Sequence, residues 1–445
     1  MNLLQLGDDP LYAAAFQLSD FVEVDRPINR AYDLYPRQIF VSVFEILLEF
    51  NAAMLNTHFS PWPSFSEAEA QAVHDVIASN RVNYWTGTQC REFEKEFATW
   101  SGAGHAIALA NGTLALDLAL RALGISPGDE VIVTPRTFIA SISCVITAGA
   151  TPVFADIDRD SGNITAATIA ERITPRTRAV IPVHLGGWPC EMTAIMDLAA
   201  AHGLHVIEDC AQAHGAMVGS RAVGTIGDVG AWSFCQDKIM TTGGEGGMVT
   251  CNREDLWSSM WSYKDHGKSW DAVYNRAHPP GFRWVHESFG TNWRMLEVQA
   301  AIGRIQLTKM PSWTARRTAI AQLIRDSLAP FAGAVRAPVP GYGLTHAYYR
   351  QYAYVRPEGL RSGWDRDRIV AEMNALGVPL LHGTCSEVYL EKAFDGTPWR
   401  PTEPLPVARE LGQTSLMFLT HPTLTDDEVG QTTEAIANIM RGAAA

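Results

Sequence analysis

The chain has 445 residues, 47% of them hydrophobic and 19% charged, and carries a formal net charge of −13. That is enough apolar material for a large core and enough length for two or three domains, and the acidic balance argues against a general electrostatic surface for nucleic acid. The seven cysteines are scattered without CxxC spacing, so neither a zinc site nor a disulfide framework is expected, and reduced cytoplasmic thiols are the simplest account.

The opening MNLLQLGDDP has no basic region followed by an apolar run and does not read as a signal peptide. Residues 39–55 read as one amphipathic helix with Phe40, Phe44, Leu47 and Leu48 on one side. Glu45, Glu49 and Asn51 make it too polar, and its length too short, to span a bilayer. Residues 1–60 carry no visible chemistry and are read as an extension for packing or dimer contact. Ser66 followed by Glu69 is a capping-box pattern that opens a helix. Residues 89–100 form a second helix, with Phe93, Phe97 and Trp100 at helical spacing.

From residue 105 onward short apolar runs alternate with helical patterns. Strands are expected at 105–110, 131–134, 152–155, 179–183 and 204–208, with helices at 114–123, 138–148, 165–173 and 192–202. This is the signature of βαβ units, an α/β fold whose largely parallel sheet carries helices on both faces. Residues 254–265 and 295–307 are again helical, the second rich in small residues (Ala300, Ala301, Gly303). A strand-like 346–355 and a helix at 365–376 suggest a smaller α/β domain. The expected division is an extension (1–60), a large domain (61–310) and a small C-terminal domain (311–445).

Ligands of such sheets sit beyond the C-terminal ends of the strands. Asn111-Gly112-Thr113 follows the first strand and opens a helix, a place for a phosphate, although an ordinary helix cap has the same pattern. Phe138 follows the second strand and could lie flat on a planar ring; a core aromatic is the commoner outcome. Asp209 ends a strand, where it serves either as a helix cap or as a partner for a pyridinium N–H, and Gln212 follows it. Ser233 ends another strand, five residues before Lys238, and a glycine-rich turn of Gly243, Gly244, Gly246 and Gly247 leads on to the next strand. A lone lysine is usually a solvated surface residue, but one beside a core strand is placed where burial would lower its pKa and free the amine as a nucleophile. A phosphate cradle, a stacking aromatic, an aspartate and an amine are together what pyridoxal 5′-phosphate requires.

These segments carry a resemblance. NGTLALDLAL (111–120), GDEVIVTPRTFIAS (128–141), VIEDCAQAHGA (206–216), KIMTTGGEGG (238–247) and GTNWRMLEVQAAIGRIQL (290–307) resemble the DegT/StrS family of sugar aminotransferases over roughly residues 60–435. The resemblance implies a fold-type-I transferase that holds pyridoxal 5′-phosphate and passes through pyridoxamine 5′-phosphate. It implies that Lys238 binds the cofactor and moves the proton, that Asp209 pairs with the ring nitrogen, and that Gln212 contacts the ring's 3-hydroxyl side. Gly112, Thr113 and Ser233 would bind the phosphate and Phe138 would stack on the ring. Asn292 would reach the phosphate of a neighbouring subunit in a homodimer with shared active sites. Arg294 would bind an acidic group of donor or sugar nucleotide, and His184 would lie near the substrate, though a satisfied strand-end histidine fits His184 equally. His382 and Tyr389 stand where relatives often have an adjacent His-Tyr pair, so that site is not carried over.

The expected reaction moves an amino group from an amino acid, glutamate first, to a keto group of a nucleotide-linked deoxysugar, releasing 2-oxoglutarate. The expected setting is cytoplasmic, with no nucleic-acid, membrane or metal partner. Alternatives within the family are a sugar dehydratase, disfavoured because relatives of that kind have histidine in place of the lysine, and an aromatising synthase of aminobenzoate type. A non-catalytic regulatory member is disfavoured by the presence of Lys238, Asp209 and Ser233. A nicotinamide dehydrogenase is excluded by the single glycine in HAIALANGTLALDL, where GxGxxG would be needed.

Overall fold

Short runs of β-branched and aliphatic residues separated by helices pair into a seven-stranded sheet in the computed structural model, which describes residues 59–445. The helix expected at 39–55 lies outside the described residues. The sheet begins with β1 (His105–Leu109), β2 (Glu130–Val133), β3 (Thr151–Phe154), β4 (Thr177–Ile181) and β5 (His205–Asp209). A small ribbon of β6 (Met217–Val218) and β7 (Arg221–Ala222) comes next. Then β8 (Val229–Ser233) and β9 (Gly247–Cys251) complete the large sheet, in the order β1-β9-β8-β5-β4-β2-β3.

Neighbours from β8 to β3 run parallel, whereas β9 is antiparallel to both β8 and β1. The reversal has a local cause. Crossovers that return the chain to the same end of the sheet, helical from β2 to β5 and carrying the β6-β7 ribbon from β5 to β8, make parallel neighbours, but only the glycine-rich loop 234–246 joins β8 to β9, so the chain turns straight back. The strands are almost wholly buried, with helices on both faces, and this accounts for their continuous apolar sequences.

The helix expected at 295–307 runs instead from Glu297 to Leu328, through Pro311. A proline inside a helix costs about 3 kcal/mol. Here the buried face of Met310, Ile320, Ala321, Ile324 and Leu328 opposes that cost, because burying each large aliphatic side chain contributes about 1.5–3 kcal/mol. The small residues have a local use: a Cβ on Gly303 would lie 2.7 Å from the Phe93 ring. The helix passes through residue 310 without interruption. Met310 belongs to the core beside β8, and Ile320, Ile324 and Leu328 belong to a second core.

That second core lies against an antiparallel sheet of β10 (Val335–Arg336), β12 (Gln351–Val355), β13 (Leu380–Leu381) and β14 (Ser415–Phe418), in the order β10-β12-β14-β13. β11 (Leu344–Thr345) pairs with β6 instead. Only the second half of the expected strand 346–355 is extended, because Tyr348 has φ +47° and breaks the run. Helices Arg366–Ala375 and Asp426–Ala443 cover this sheet. Among the described residues no helix is long and apolar enough to cross a membrane.

Candidate functional site

The C-terminal ends of β2, β5 and β8 face the start of the helix Gly112–Ala122 and enclose a cavity of about 560 Å³. Asn111 caps that helix from an extended backbone, its side chain accepting the Leu114 N–H at 3.0 Å. The first N–H groups of a helix have no intrahelical partner and concentrate positive potential. Beside them stands Ser233, whose Oγ accepts the Cys235 N–H at 3.3 Å and keeps its own hydrogen free to donate. The approach is so close that a Cβ on Gly112 would lie 2.6 Å from the Ser233 Cβ. Gly112, Thr113 and Ser233 therefore bring helix-start N–H groups and a free hydroxyl together, the donor set that suits an anion.

Asp209 ends β5 and is buried. Ser141 Oγ donates to its Oδ2 at 2.7 Å and the Ala211 N–H donates to Oδ1 at 3.1 Å. Burial nevertheless pushes its pKa above the usual carboxylate range, against those bonds and the charge of Lys238. Such a carboxylate lacks a cationic partner of its own and would gain from a protonated ring nitrogen.

Lys238 lies in the loop between β8 and β9, its own N–H donating to the Cys235 carbonyl at 3.0 Å. Thr241 holds the far side of the loop, its hydroxyl donating to the Phe234 carbonyl and its N–H to Gln306 Oε1, each at 2.8 Å. Gly243 and Gly244 then turn the chain at φ +87° and +119°, where a Cβ would be strained. Lys238 Nζ lies 3.5 Å from Asp237 Oδ1 and 5.5 Å from the centre of the Tyr349 ring. The expectation that burial lowers its pKa is corrected here. Burial does pull it down, but Tyr349, Asp237, Cys235 and Asp209 together push it up, and the net direction is upward. The unmodified side chain is an ammonium ion, and its nucleophilic form must shed a proton first.

Seven of the expected residues, Gly112, Thr113, Phe138, Asp209, Gln212, Ser233 and Lys238, line this one cavity. Phe138 is 67% exposed, so its ring stands free to cover a planar ligand. Gln212 Oε1 accepts the Gly186 N–H at 2.7 Å, which leaves its amide nitrogen as the group it can offer. A larger cavity of about 740 Å³, further along the same helix and lined by Asp117, Arg121, Tyr263 and Trp293, contains none of these seven residues.

Three expected residues are placed elsewhere. His184 is fully buried outside the cavity lining; its Nδ1 accepts the Cys190 N–H at 3.0 Å and its Nε2 faces Glu208 Oε2 at 3.1 Å. With both ring nitrogens engaged it has nothing to offer a substrate, and its expected position near one is corrected to a structural role. Glu208 also accepts N–H groups of Gly224, Ile226 and Gly227, so although His184, Glu208 and Cys210 lie close together, their lone pairs serve the fold. Arg294 Nη1 donates to Asp265 Oδ1 at 2.8 Å, and Asn292 is exposed beside the same aspartate; neither lines the cavity of its own chain. His382 and Tyr389 are also apart, the first against Asp367 and the second buried with its hydroxyl on Glu387.

Sequence reading missed Ser141, Asp237 and Tyr349. Ser141 had a usable signal, since it stands three residues beyond Phe138 at the start of the helix expected at 138–148, which begins at Ala140. Tyr349, whose hydroxyl donates to Asp237, had none, because only the tertiary fold brings it there.

Helix-start N–H groups and a free hydroxyl, a buried carboxylate, an exposed aromatic ring and an amine, all lining one cavity, fit a phosphate-bearing pyridine ring. Comparison with known proteins agrees. The profile of the DegT/DnrJ/EryC1/StrS aminotransferase family matches residues 63–437. The spore coat polysaccharide biosynthesis protein SpsC of Bacillus subtilis is 36% identical over 397 residues, covering 87% of this chain and 98% of that protein. GDP-perosamine synthase of Caulobacter vibrioides is 37% identical over 353 residues, covering 78% of this chain and 89% of that one. The crystal structure of an aminotransferase from Psychrobacter cryohalolentis is 61% identical with a TM-score of 0.85, covering 86% and 99% of the two chains.

Proposed function

The chain belongs to the DegT/DnrJ/EryC1/StrS aminotransferase family, whose members use pyridoxal 5′-phosphate, and on that premise we propose that it aminates a nucleotide-linked keto-sugar. The amino donor in this reading is an amino acid, glutamate first. The product is an amino sugar destined for a polysaccharide or glycoside, and the setting is the cytoplasm. The observation that carries the reading is the meeting of Lys238, Asp209 and the Gly112–Ser233 cradle in one cavity. The names of the relatives, one a polysaccharide biosynthesis protein and one a GDP-perosamine synthase, support the substrate class.

Pyridoxal 5′-phosphate, held by these residues, would supply an electron-withdrawing ring, a sink for the electrons left when the donor's α-carbon loses a proton. Lys238 holds the cofactor through Nζ and, once released, carries that proton at the same atom. Asp209 keeps the ring nitrogen protonated by a charge-assisted bond, with Ser141 fixing the carboxylate. The Gly112 and Thr113 N–H groups and the Thr113 and Ser233 hydroxyls bind the phosphate. Phe138 covers the ring face and the Gln212 amide nitrogen donates to the 3-hydroxyl side. In this reading Asn292 acts across a homodimer at the neighbouring phosphate, and Arg294 binds an acidic substrate group by leaving Asp265. Residues 61–310 form the cofactor-binding domain, 311–445 the smaller one and 1–60 an extension.

The test is a panel of keto-sugar nucleotides incubated with glutamate and read by mass spectrometry. An amino-sugar product accompanied by 2-oxoglutarate is expected. A dehydrated or aromatic product, or no transfer to any member, would replace this reading.

A further inference from the structure

Trp62 stands far from Lys238 in the chain, yet its indole N–H donates a 2.8 Å hydrogen bond to the Lys238 carbonyl. We propose that Trp62 is a positioning residue for the cofactor lysine, fastening its main chain to the C-terminal part of the fold. The proposal rests on the reading of Lys238 given above.

The indole is held on three sides. Trp313 meets it edge-on with centroids 5.1 Å apart, His421 stacks on it at 6.0 Å, and the Arg317 guanidinium lies 5.1 Å from its ring centre. The adjoining chain is anchored as well. Thr423 Oγ1 donates to the Pro61 carbonyl at 2.9 Å, and Ser60 Oγ donates to Glu428 at 3.0 Å, in the first turn of helix Asp426–Ala443. On the other flank of the loop, Tyr349 donates to Asp237, and the Thr420 hydroxyl donates to the Tyr348 carbonyl at 2.7 Å. Two neighbouring residues of the lysine loop are therefore tied to the C-terminal part of the chain, the Asp237 side chain directly by Tyr349 and the Lys238 backbone through Trp62.

The geometry gives the bond a role. Nζ stands at the end of four methylenes, so it is placed only as well as its own peptide is. The Lys238 carbonyl lies in a loop outside any strand ladder, and Trp62 gives it a donor from a packed ring. A misplacement of about 1 Å at a reacting group can cost roughly a hundredfold in rate.

The test is Trp62→Phe in the holoenzyme, which keeps the aromatic ring and removes the N–H. Expected are a fall in kcat of about tenfold, inside that range, KM values within about twofold of wild type, and a shifted midpoint in the pH titration of the bound cofactor's visible absorption. Unchanged kcat and midpoint, even with a lowered Tm, overturn the proposal, since a purely structural residue would behave so. Should Trp62→Phe fail to fold, Thr423→Val loosens the Pro61 anchor instead; kcat lowered at least twofold supports the proposal and an unchanged kcat overturns it. Borohydride fixation of the cofactor in the wild-type enzyme separates the two ideas. Label away from Lys238 overturns the reading of the lysine, whereas label on Lys238 with unaltered variants overturns only the role of Trp62.

Discussion

The Ser141 hydroxyl donates to Oδ2 of Asp209 at 2.7 Å, fixing a buried carboxylate whose remaining lone pairs face the cavity. Asp209→Asn keeps the shape and removes the charge. Steady-state assays of this variant are expected to show kcat reduced roughly tenfold to a hundredfold, the range implied by a hydrogen bond to a charged group of about 1.5–3 kcal/mol. Ser141→Ala leaves the charge but frees the carboxylate to turn, so a smaller loss of a few-fold is expected. An unchanged rate in Asp209→Asn would mean that the carboxylate does not serve the ring.

The same carboxylate makes a prediction about pH. Burial raises its folded pKa above the unfolded value. The stability it contributes is therefore present below the unfolded pKa and is lost as pH rises through the folded one. At neutral pH the cofactor-free wild type carries this cost and cofactor-free Asp209→Asn does not. Thermal melts of the cofactor-free proteins at pH 8 should place the variant higher, by about 2 °C if the cost is near 1 kcal/mol. The gap should close toward pH 4, and added pyridoxal phosphate should raise Tm more in the wild type. A lower-melting variant at pH 8 would show that the aspartate is already well paired.

Lys238 has the most direct test. Borohydride treatment followed by peptide mapping should find the cofactor on Lys238 alone. Lys238→Ala should lose turnover while still binding pyridoxamine phosphate, because cradle, aspartate and Phe138 remain. Near-normal turnover would remove the lysine from the chemistry.

Gly112 has room for hydrogen and nothing larger. A methyl group there would sit 2.6 Å from the Ser233 Cβ, so Gly112→Ala must push apart the helix start and the strand end, the two sides of the proposed phosphate site. Cofactor titration should show affinity reduced by at least tenfold, about 1.4 kcal/mol, with the far-UV spectrum unchanged. Ser233→Ala should lose less, about two- to tenfold for one hydroxyl bond of 0.5–1.5 kcal/mol. If Gly112→Ala binds as the wild type does, the phosphate lies elsewhere.

What the sequence made legible was local. Asp209 and Ser233 end apolar runs, Gly112 opens a helix, and the glycines after Lys238 announce a turn, so each position follows from its immediate neighbours. The contacts that complete the site are not local. Tyr349 comes from an irregular stretch before β12 and Trp62 from ahead of the first described helix, and nothing in their flanking residues says where they pack. The helix through Pro311 was cut short for the same reason: its second half is stabilised by a core that forms only when β12 and β14 pair. The direction of the Lys238 pKa shift is not legible in the sequence, because burial shows there and the acidic groups that the fold brings beside the amine do not.

His184 shows how a residue type can suggest chemistry that its partners forbid. Its ring bridges the Cys190 N–H and the Glu208 carboxylate, and Glu208 in turn gathers three backbone N–H groups of the turn before β8. Removing the imidazole leaves a fully buried carboxylate short of one donor, and losing a hydrogen bond to a charged group costs about 1.5–3 kcal/mol. His184→Ala should therefore lower Tm markedly and weaken cofactor retention only as the fold loosens, while His184→Gln, which keeps a donor, recovers part of the loss. In whatever fraction remains folded, KM for the sugar nucleotide should match that of the wild type. A raised KM at unchanged Tm would return the histidine to the substrate.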